Sequence, residues 1–336
     1  MSTEASHLIA TRNRRVVLVV AGAAAIAAAA VVGATLLQTR GERTTVPGSV
    51  TKPRSGPPLL ELEFGLRSDP EARALARAQT FYDRDHDAAR AAAIFRRYHS
   101  VGAQLGLAFT SWHGPSSVEA VQKVVAAHPN DAAALLNLGW AEYQAGRNGD
   151  AAAAWQRAAR LGADSPYGVD AEDALHSGPL GLPPIVTGLA LPRAIAKLPA
   201  AQQVAALRRA AVRRDAQAKL LYGAALWTLR HPLSAERQFA AAARIAPHDP
   251  VARVAAAVAL FSKSDPTRAF GRLGPLTAVF PHSPAVQFHL GVLLLYIGEN
   301  AKAARHLRAA LADGPHSPYA KPTTTLLASL ANTRSK

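Results

Sequence analysis

The chain of 336 residues contains no cysteine. That excludes disulfides, thiolate metal sites, iron–sulfur clusters and a thiol nucleophile. Aromatic residues are scarce at 6%, although 49% of the chain is hydrophobic. The apolar content is therefore mostly Ala, Val and Leu, which suits helices better than strands. Acidic residues are also in short supply, with 23 Asp and Glu against 38 Lys and Arg, for a net charge of +15. The signatures of common chemistries are missing as well. There is no HExxH, no GxSxG, no GxxxxGK[ST], and no GxGxxG following a strand pattern. Asp83, Asp85 and Asp87 alternate like the start of a calcium loop, but the Gly and the twelfth-position Glu are absent, so a capped helix turn is expected. The expectation is a protein without catalytic residues, metal or cofactor.

The longest uncharged run is Val16 to Leu37, 22 residues. As a helix it would extend about 33 Å, enough to cross a bilayer core of about 30 Å. Arg12, Arg14 and Arg15 precede it, as before a signal peptide or a signal anchor. Its length exceeds the ~7–15 apolar residues of a signal peptide, which favours an uncleaved anchor, with Val32-Gly33-Ala34 as the alternative cleavage site. Arg40, Arg43 and Lys52 follow the run, so the count of basic residues alone does not orient it. The tighter cluster ahead of it places the amino terminus in the cytoplasm and the body outside. Residues 38–58, with Gly41, Pro47, Gly48, Pro53, Gly56, Pro57 and Pro58, read as a flexible linker.

Beyond the linker the chain repeats every 34 residues. Gly223, Ala257 and Gly291 keep that step, as do Ala235, Ala269 and Ala303, and Pro247, Pro281 and Pro315. Even Pro247-His248-Asp249-Pro250, Pro281-His282-Ser283-Pro284 and Pro315-His316-Ser317-Pro318 align. In the unit that begins at Ala132, Gly139, Gly146, Ala151, Trp155 and Ala158 occupy the matching places, and Phe239 stands where Trp155 does in the unit from Ala216. Small residues at a helix crossing let two backbones approach, a large one fills the hole, and Pro stops the second helix. The unit from Tyr98 departs by carrying Leu105 at the small position. Gly271 and Gly274-Pro275 predict a short or kinked second helix in the unit from Pro250.

This pattern resembles the tetratricopeptide repeat family, membrane-anchored and of bacterial type. The resemblance implies an all-α, right-handed superhelical solenoid of antiparallel helix pairs, here preceded by one transmembrane helix. The expected organisation is a basic tail 1–15, a span 16–37, a linker 38–58, a repeat body 59–318 and a cap 319–336. Units fall near 70–97, 98–131, 132–165, 166–215, 216–249, 250–283 and 284–317. The stretch 166–215 is one repeat carrying a 16-residue insertion. Its part Ser177–Pro199, rich in proline and in Leu, Ile and Val, must be covered. It folds back into the protein's own groove, serves as an interaction loop, or is simply covered by the neighbouring repeats.

In this family the first helix of each pair lines a concave groove that grips peptides or partner helices. By frame, that implies a groove formed by Asn137, Trp140, Tyr143, Trp227, Phe261 and Phe288. The alternative for these aromatics is packing between repeats. The family's carboxylate-binding arrangement needs basic and Asn residues, of which only Asn137 matches, so that mode is not expected. The histidines at 248, 282 and 316 sit about one repeat apart, too far to share a metal. After the first 37 residues, 35 basic and 22 acidic residues remain, and Arg208, Arg209, Arg213 and Arg214 crowd one helix face. These either solvate the face or attract anionic lipid heads or wall polymers. The expected function is a non-enzymatic, membrane-anchored scaffold that binds other proteins in its groove. The alternative is a self-assembling structural element of the cell envelope. No nucleic-acid-binding module is evident.

Overall fold

The computed structural model describes residues 52–334. The run 16–37 and residues 38–51 lie outside the described residues. Among the described residues every regular element is helical, and no helix is long and apolar enough to cross a membrane. The described chain divides after Leu175 into two compact units.

The first unit contains α1 (Pro70–Asp83), α2 (Ala88–Phe95), α3 (Val101–Thr110), α4 (Val118–Ala127), α5 (Ala132–Gln144), α6 (Asn148–Leu161) and α7 (Pro166–Leu175). Successive helices pack as antiparallel hairpins, α1 with α2, α3 with α4 and α5 with α6, and α7 closes on α6. Their starts are chemical. Asp69, Asp87, Ser100 and Asp131 each accept a first-turn backbone N–H, which satisfies a donor the helix itself cannot. Asp87 thus caps α2, as the alternating aspartates suggested.

The second unit contains α8 (Arg193–Ala196), α9 (Ala200–Ala210), α10 (Ala216–Thr228), α11 (Pro232–Ile245), α12 (Pro250–Val258), α13 (Thr267–Leu273), α14 (Leu276–Val279), α15 (Pro284–Tyr296), α16 (Asn300–Asp313) and α17 (Ala320–Arg334). Helices start at 132, 216, 250 and 284, the residues at which the 34-residue frame begins its units. The proline-containing helix is split into α13 and α14, with Gly274 and Pro275 between them. The stretch 166–215 does not form one repeat. Its first helix, α7, packs on α5 and α6 in the first unit, and α9 packs on α10 in the second. Between them residues 179–192 carry no helix, because Pro179, Pro183, Pro184 and Pro192 remove donors that a helix needs.

The hairpins are held by the expected exchange of small for large. A Cβ on Gly139 would lie 2.2 Å from the indole nitrogen of Trp155, and one on Gly223 would lie 2.7 Å from Phe239. Gly291 meets Leu307 in the same way at 2.8 Å. Those partners are buried, and Trp155 also donates to the Leu136 carbonyl at 3.2 Å. In the unit from Tyr98 the close approach is instead to the helix before it, α2. Leu105 is fully buried, and Gly106 is the residue against which Phe95 packs. Gly146 and Gly298 turn the chain between paired helices with φ of 80° and 79°, a region that favours glycine.

Gly139→Ala is expected to destabilise the first unit by about 1–3 kcal/mol through overpacking against Trp155. Gly271→Ala, on α13 with no atom within 4 Å of the added Cβ, is expected to be neutral or to stabilise by up to about 1 kcal/mol. Urea unfolding followed by circular dichroism checks both, and equal midpoints would contradict the packing argument.

Candidate functional site

The inner face of the first unit is filled by its own chain. Residues 54–63, which join the end of the expected linker 38–58 to the start of the expected repeat body, run extended along the inner helices and antiparallel to α1 and α5. The contact begins at Arg54, whose N–H donates to the Gln144 carbonyl at 2.9 Å. Its guanidinium bonds the Tyr143 carbonyl and lies 3.4 Å above the Tyr143 ring. The Gln144 amide donates to the carbonyls of Ser55 and Gly56, at 2.9 and 2.8 Å. Tyr82 donates to the Pro58 carbonyl and Gln79 to that of Leu60, both at 2.8 Å.

Asn137 then brackets one residue. Its Oδ1 accepts the Glu61 N–H and its Nδ2 donates to the Glu61 carbonyl, each at 2.8 Å. A second Nδ2 bond, to the Ala133 carbonyl at 2.9 Å, fixes the amide in place. The Tyr167 hydroxyl does the same for Glu63, accepting its N–H at 3.0 Å and donating to its carbonyl at 3.3 Å. Leu60 and Leu62 are buried in the core with Leu75, Leu105 and Phe109. Burying two leucines is worth about 3–6 kcal/mol, and each net hydrogen bond adds about 0.5–1.5 kcal/mol. From Pro58 to Glu63 these bonds go to backbone atoms of the segment, as recognition of an extended chain requires.

The second unit repeats the device. Residues 182–187 run extended and antiparallel to α15. Tyr296 donates to the Leu182 carbonyl at 3.0 Å, and the Trp227 indole N–H to the Pro183 carbonyl at 2.8 Å. His289 Nε2 accepts the Val186 N–H at 3.0 Å. Its Nδ1 lies 2.7 Å from the Ala285 carbonyl and must donate to it, which fixes the neutral tautomer. Ile185 and Val186 join the core of this unit. Asn137 and His289 are each the sixth residue of their 34-residue unit. The segments share a pattern too, Pro57-Pro58-Leu59-Leu60-Glu61 and Pro183-Pro184-Ile185-Val186-Thr187.

Of the six residues derived by frame, Asn137 and Trp227 hold the segments. Tyr143 stacks with Arg54, and Phe261 packs edge-on to Tyr296 at 5.6 Å. Trp140 is half-buried, packed 4.9 Å from Trp155 and 6.2 Å from Tyr143, and its indole N–H has no partner among the described residues. Phe288 is fully buried against Tyr319 and offers no open surface. Gln79, Tyr82, Gln144, Tyr167, His289 and Tyr296 are the holding residues that sequence reasoning missed. The shared sixth position and the paired Pro-Pro segments were the available signal. An open cleft of about 540 Å³ lies where the first segment enters, among Arg54, Tyr82, His86, Phe109, Trp112 and His113.

His248, His282 and His316 are exposed turn residues, and no group of three metal-ligating side chains occurs among the described residues. On the second unit Arg208, Arg209, Arg213 and Arg214 are exposed around Val212, itself 83% exposed.

A family model described as a tetratricopeptide repeat matches residues 113–166 and 254–318, one stretch in each unit. Those two stretches are similar to tetratricopeptide repeats. No curated protein matches it. Among solved structures, a tetratricopeptide repeat protein from Parabacteroides merdae is 14% identical, with a TM-score of 0.34 over 78% of this chain and 99% of that one. The TPR2AB domain of yeast Sti1, in a complex with pHSP90, is 13% identical, with a TM-score of 0.30 over 78% and 98%. Yeast Tom70 is 13% identical, with a TM-score of 0.29 over 79% and 69%. Scores of this size fix no correspondence between residues.

The two units respond to pH with opposite sign. Burial, reinforced by the nearby Glu61 charge, raises the Asp83 carboxyl to about 7. The folded first unit therefore holds a proton that the unfolded chain releases, and its stability falls as pH rises from about 4 to 7. Burial lowers His289 to about 4. The second unit therefore loses stability as pH falls from about 6.5 to 4, as the unfolded imidazole takes up a proton that the folded one refuses. Each effect is on the order of 3 kcal/mol across its window. Asp83→Asn should flatten the first dependence and His289→Gln the second, read as unfolding midpoints at pH 5, 6, 7 and 8. Unchanged slopes would refute the assignment.

Proposed function

We propose that the protein is a non-enzymatic scaffold, anchored in a cell membrane by residues 16–37, which gathers other envelope proteins by gripping extended segments on the inner faces of its repeats. The observation that carries this reading is the Asn137 bracket on Glu61, joined by Gln79, Tyr82 and Tyr167, all aimed at the backbone of an extended chain. Side chains directed at peptide groups hold a chain by its backbone, the mode by which an extended peptide is added to a folded surface. The repeats supply the surface and no reacting group, and the repeat body lies outside the cytoplasm in this reading. Photo-crosslinking tests it. With benzoylphenylalanine at Trp140, on inner helix α5, the full chain should form adducts with a second polypeptide. The same probe at Gln156, exposed on α6, should not. Adducts confined to the chain itself, or arising equally from both positions, would refute groove binding.

A second reading rests on the tip formed by Arg208, Arg209, Arg213 and Arg214 around exposed Val212, where none of the four arginines is paired among the described residues. Four guanidinium groups flanking an apolar side chain suit an anionic bilayer surface, at about 1 kcal/mol per basic residue. The absence of native cysteine makes Val212→Cys a unique labelling site. An environment-sensitive dye there should shift to the blue on phosphatidylglycerol vesicles, and Arg213→Glu/Arg214→Glu should remove the shift. An equal response to phosphatidylcholine would exclude this reading.

A further inference from the structure

We propose that residues 57–63 and 182–187 are resident ligands of the two grooves, and that an external partner binds by exchanging with them. On this view the residents state the partner's chemistry: an extended segment of another protein that begins Pro-Pro and continues with two or more apolar residues. This inference rests on the scaffold reading above and specifies what enters the groove.

Three features carry it. The first is recurrence. Two units of one chain hold segments with the same Pro-Pro-apolar-apolar pattern, in the same direction, through the sixth residue of a repeat. The prolines suit this place physically, because they hold the chain extended and remove N–H groups that the inner helices would have to satisfy. The second is the mode of holding. Gln79, Tyr82, Asn137 and Tyr167 bond backbone atoms of the segment, and Trp227, Tyr296 and His289 do likewise in the second unit. Any extended chain can satisfy these groups, so a replacement loses none of their bonds. The third is the attachment. Gly56 and Gly65 bracket the first segment, and Gly181 and Gly188 the second, all at positive φ between 53° and 87°. Glycine brackets supply the backbone freedom about which such a segment hinges.

The full-length chain in detergent micelles tests this without a partner in hand. In native-state hydrogen exchange, the Glu61, Glu63 and Val186 amides should exchange about 100-fold faster than amides in the middle of α5 and α15, as expected of segments that open locally. Equal protection would mean that the segments are permanent parts of the core and would overturn the proposal. The second measurement uses a labelled synthetic decapeptide with the sequence of residues 55–64. Its affinity should rise about tenfold on Leu60→Ala/Leu62→Ala, because weakening the resident increases the fraction of open groove. Adding Asn137→Ala should reverse the gain, and replacing both prolines of the peptide should weaken binding. Exchange protection of α5 in each variant confirms that the unit is folded, and a folded variant with unchanged affinity would overturn the proposal. The two readings fail separately. If Trp140 crosslinks a second protein but the peptide never binds, exchange falls and the scaffold stands. If the peptide exchanges but no second protein is crosslinked, the scaffold falls and exchange stands.

Discussion

The bracket between Asn137 and the peptide group of Glu61 is the constraint on which the first unit turns. An extended chain laid across a helical face buries N–H and C=O groups that no neighbouring strand can pair. Each would cost about 1–3 kcal/mol if left alone. The inner helices meet that demand with side chains, Gln79 and Tyr82 from α1, Asn137 and Gln144 from α5 and Tyr167 from α7. Once the backbone is satisfied, Leu60 and Leu62 can enter the core, and the segment becomes part of the unit rather than a tether leading to it. The second unit meets the same demand with Trp227, His289 and Tyr296.

Holding an extended chain by its backbone has an electrostatic consequence. Groups that face the segments are drawn out of water, and burial disfavours whichever form carries charge. Asp83 is pushed towards its neutral acid and His289 towards its neutral base. One protein therefore carries a buried acid and a buried base whose contributions to stability fall in opposite directions of pH. The neutral His289 is also what its role requires, since only an unprotonated Nε2 can accept the Val186 N–H.

Much of the framework was legible in the residues. Spacings of 34 at Gly223, Ala257 and Gly291 identify paired helices, and the pairing of Gly139 with Trp155 and Gly223 with Phe239 follows from the need to fill what glycine leaves open. Pro275 announced the broken helix in the unit from Pro250. The site was legible only in part. Asn137, Tyr143 and Trp227 could be placed on inner faces by frame alone. Gln79, Tyr82 and Tyr167 could not, because the hairpin from Pro70 and the helix from Pro166 do not follow the repeat closely enough to carry a frame. The stretch 166–215, counted as one repeat with an insertion, is divided between the two units after Leu175.

The sequence by itself determined local matters: which stretches are helical, where Asp, Ser and Pro start or stop them, and which small residue faces which large one along a hairpin. These depend on spacings of a few residues, and periodicity reports them directly. What occupies the inner faces was decided only in three dimensions. Residue 61 reaches residue 137 and residue 186 reaches residue 289, separations of 76 and 103 along the chain. The segments that make those contacts have no helical period, and their prolines and glycines read as linker or loop. A proline-led strand is solvated linker or buried ligand according to whether a row of side chains is waiting for its backbone, and only the packed helices assemble that row.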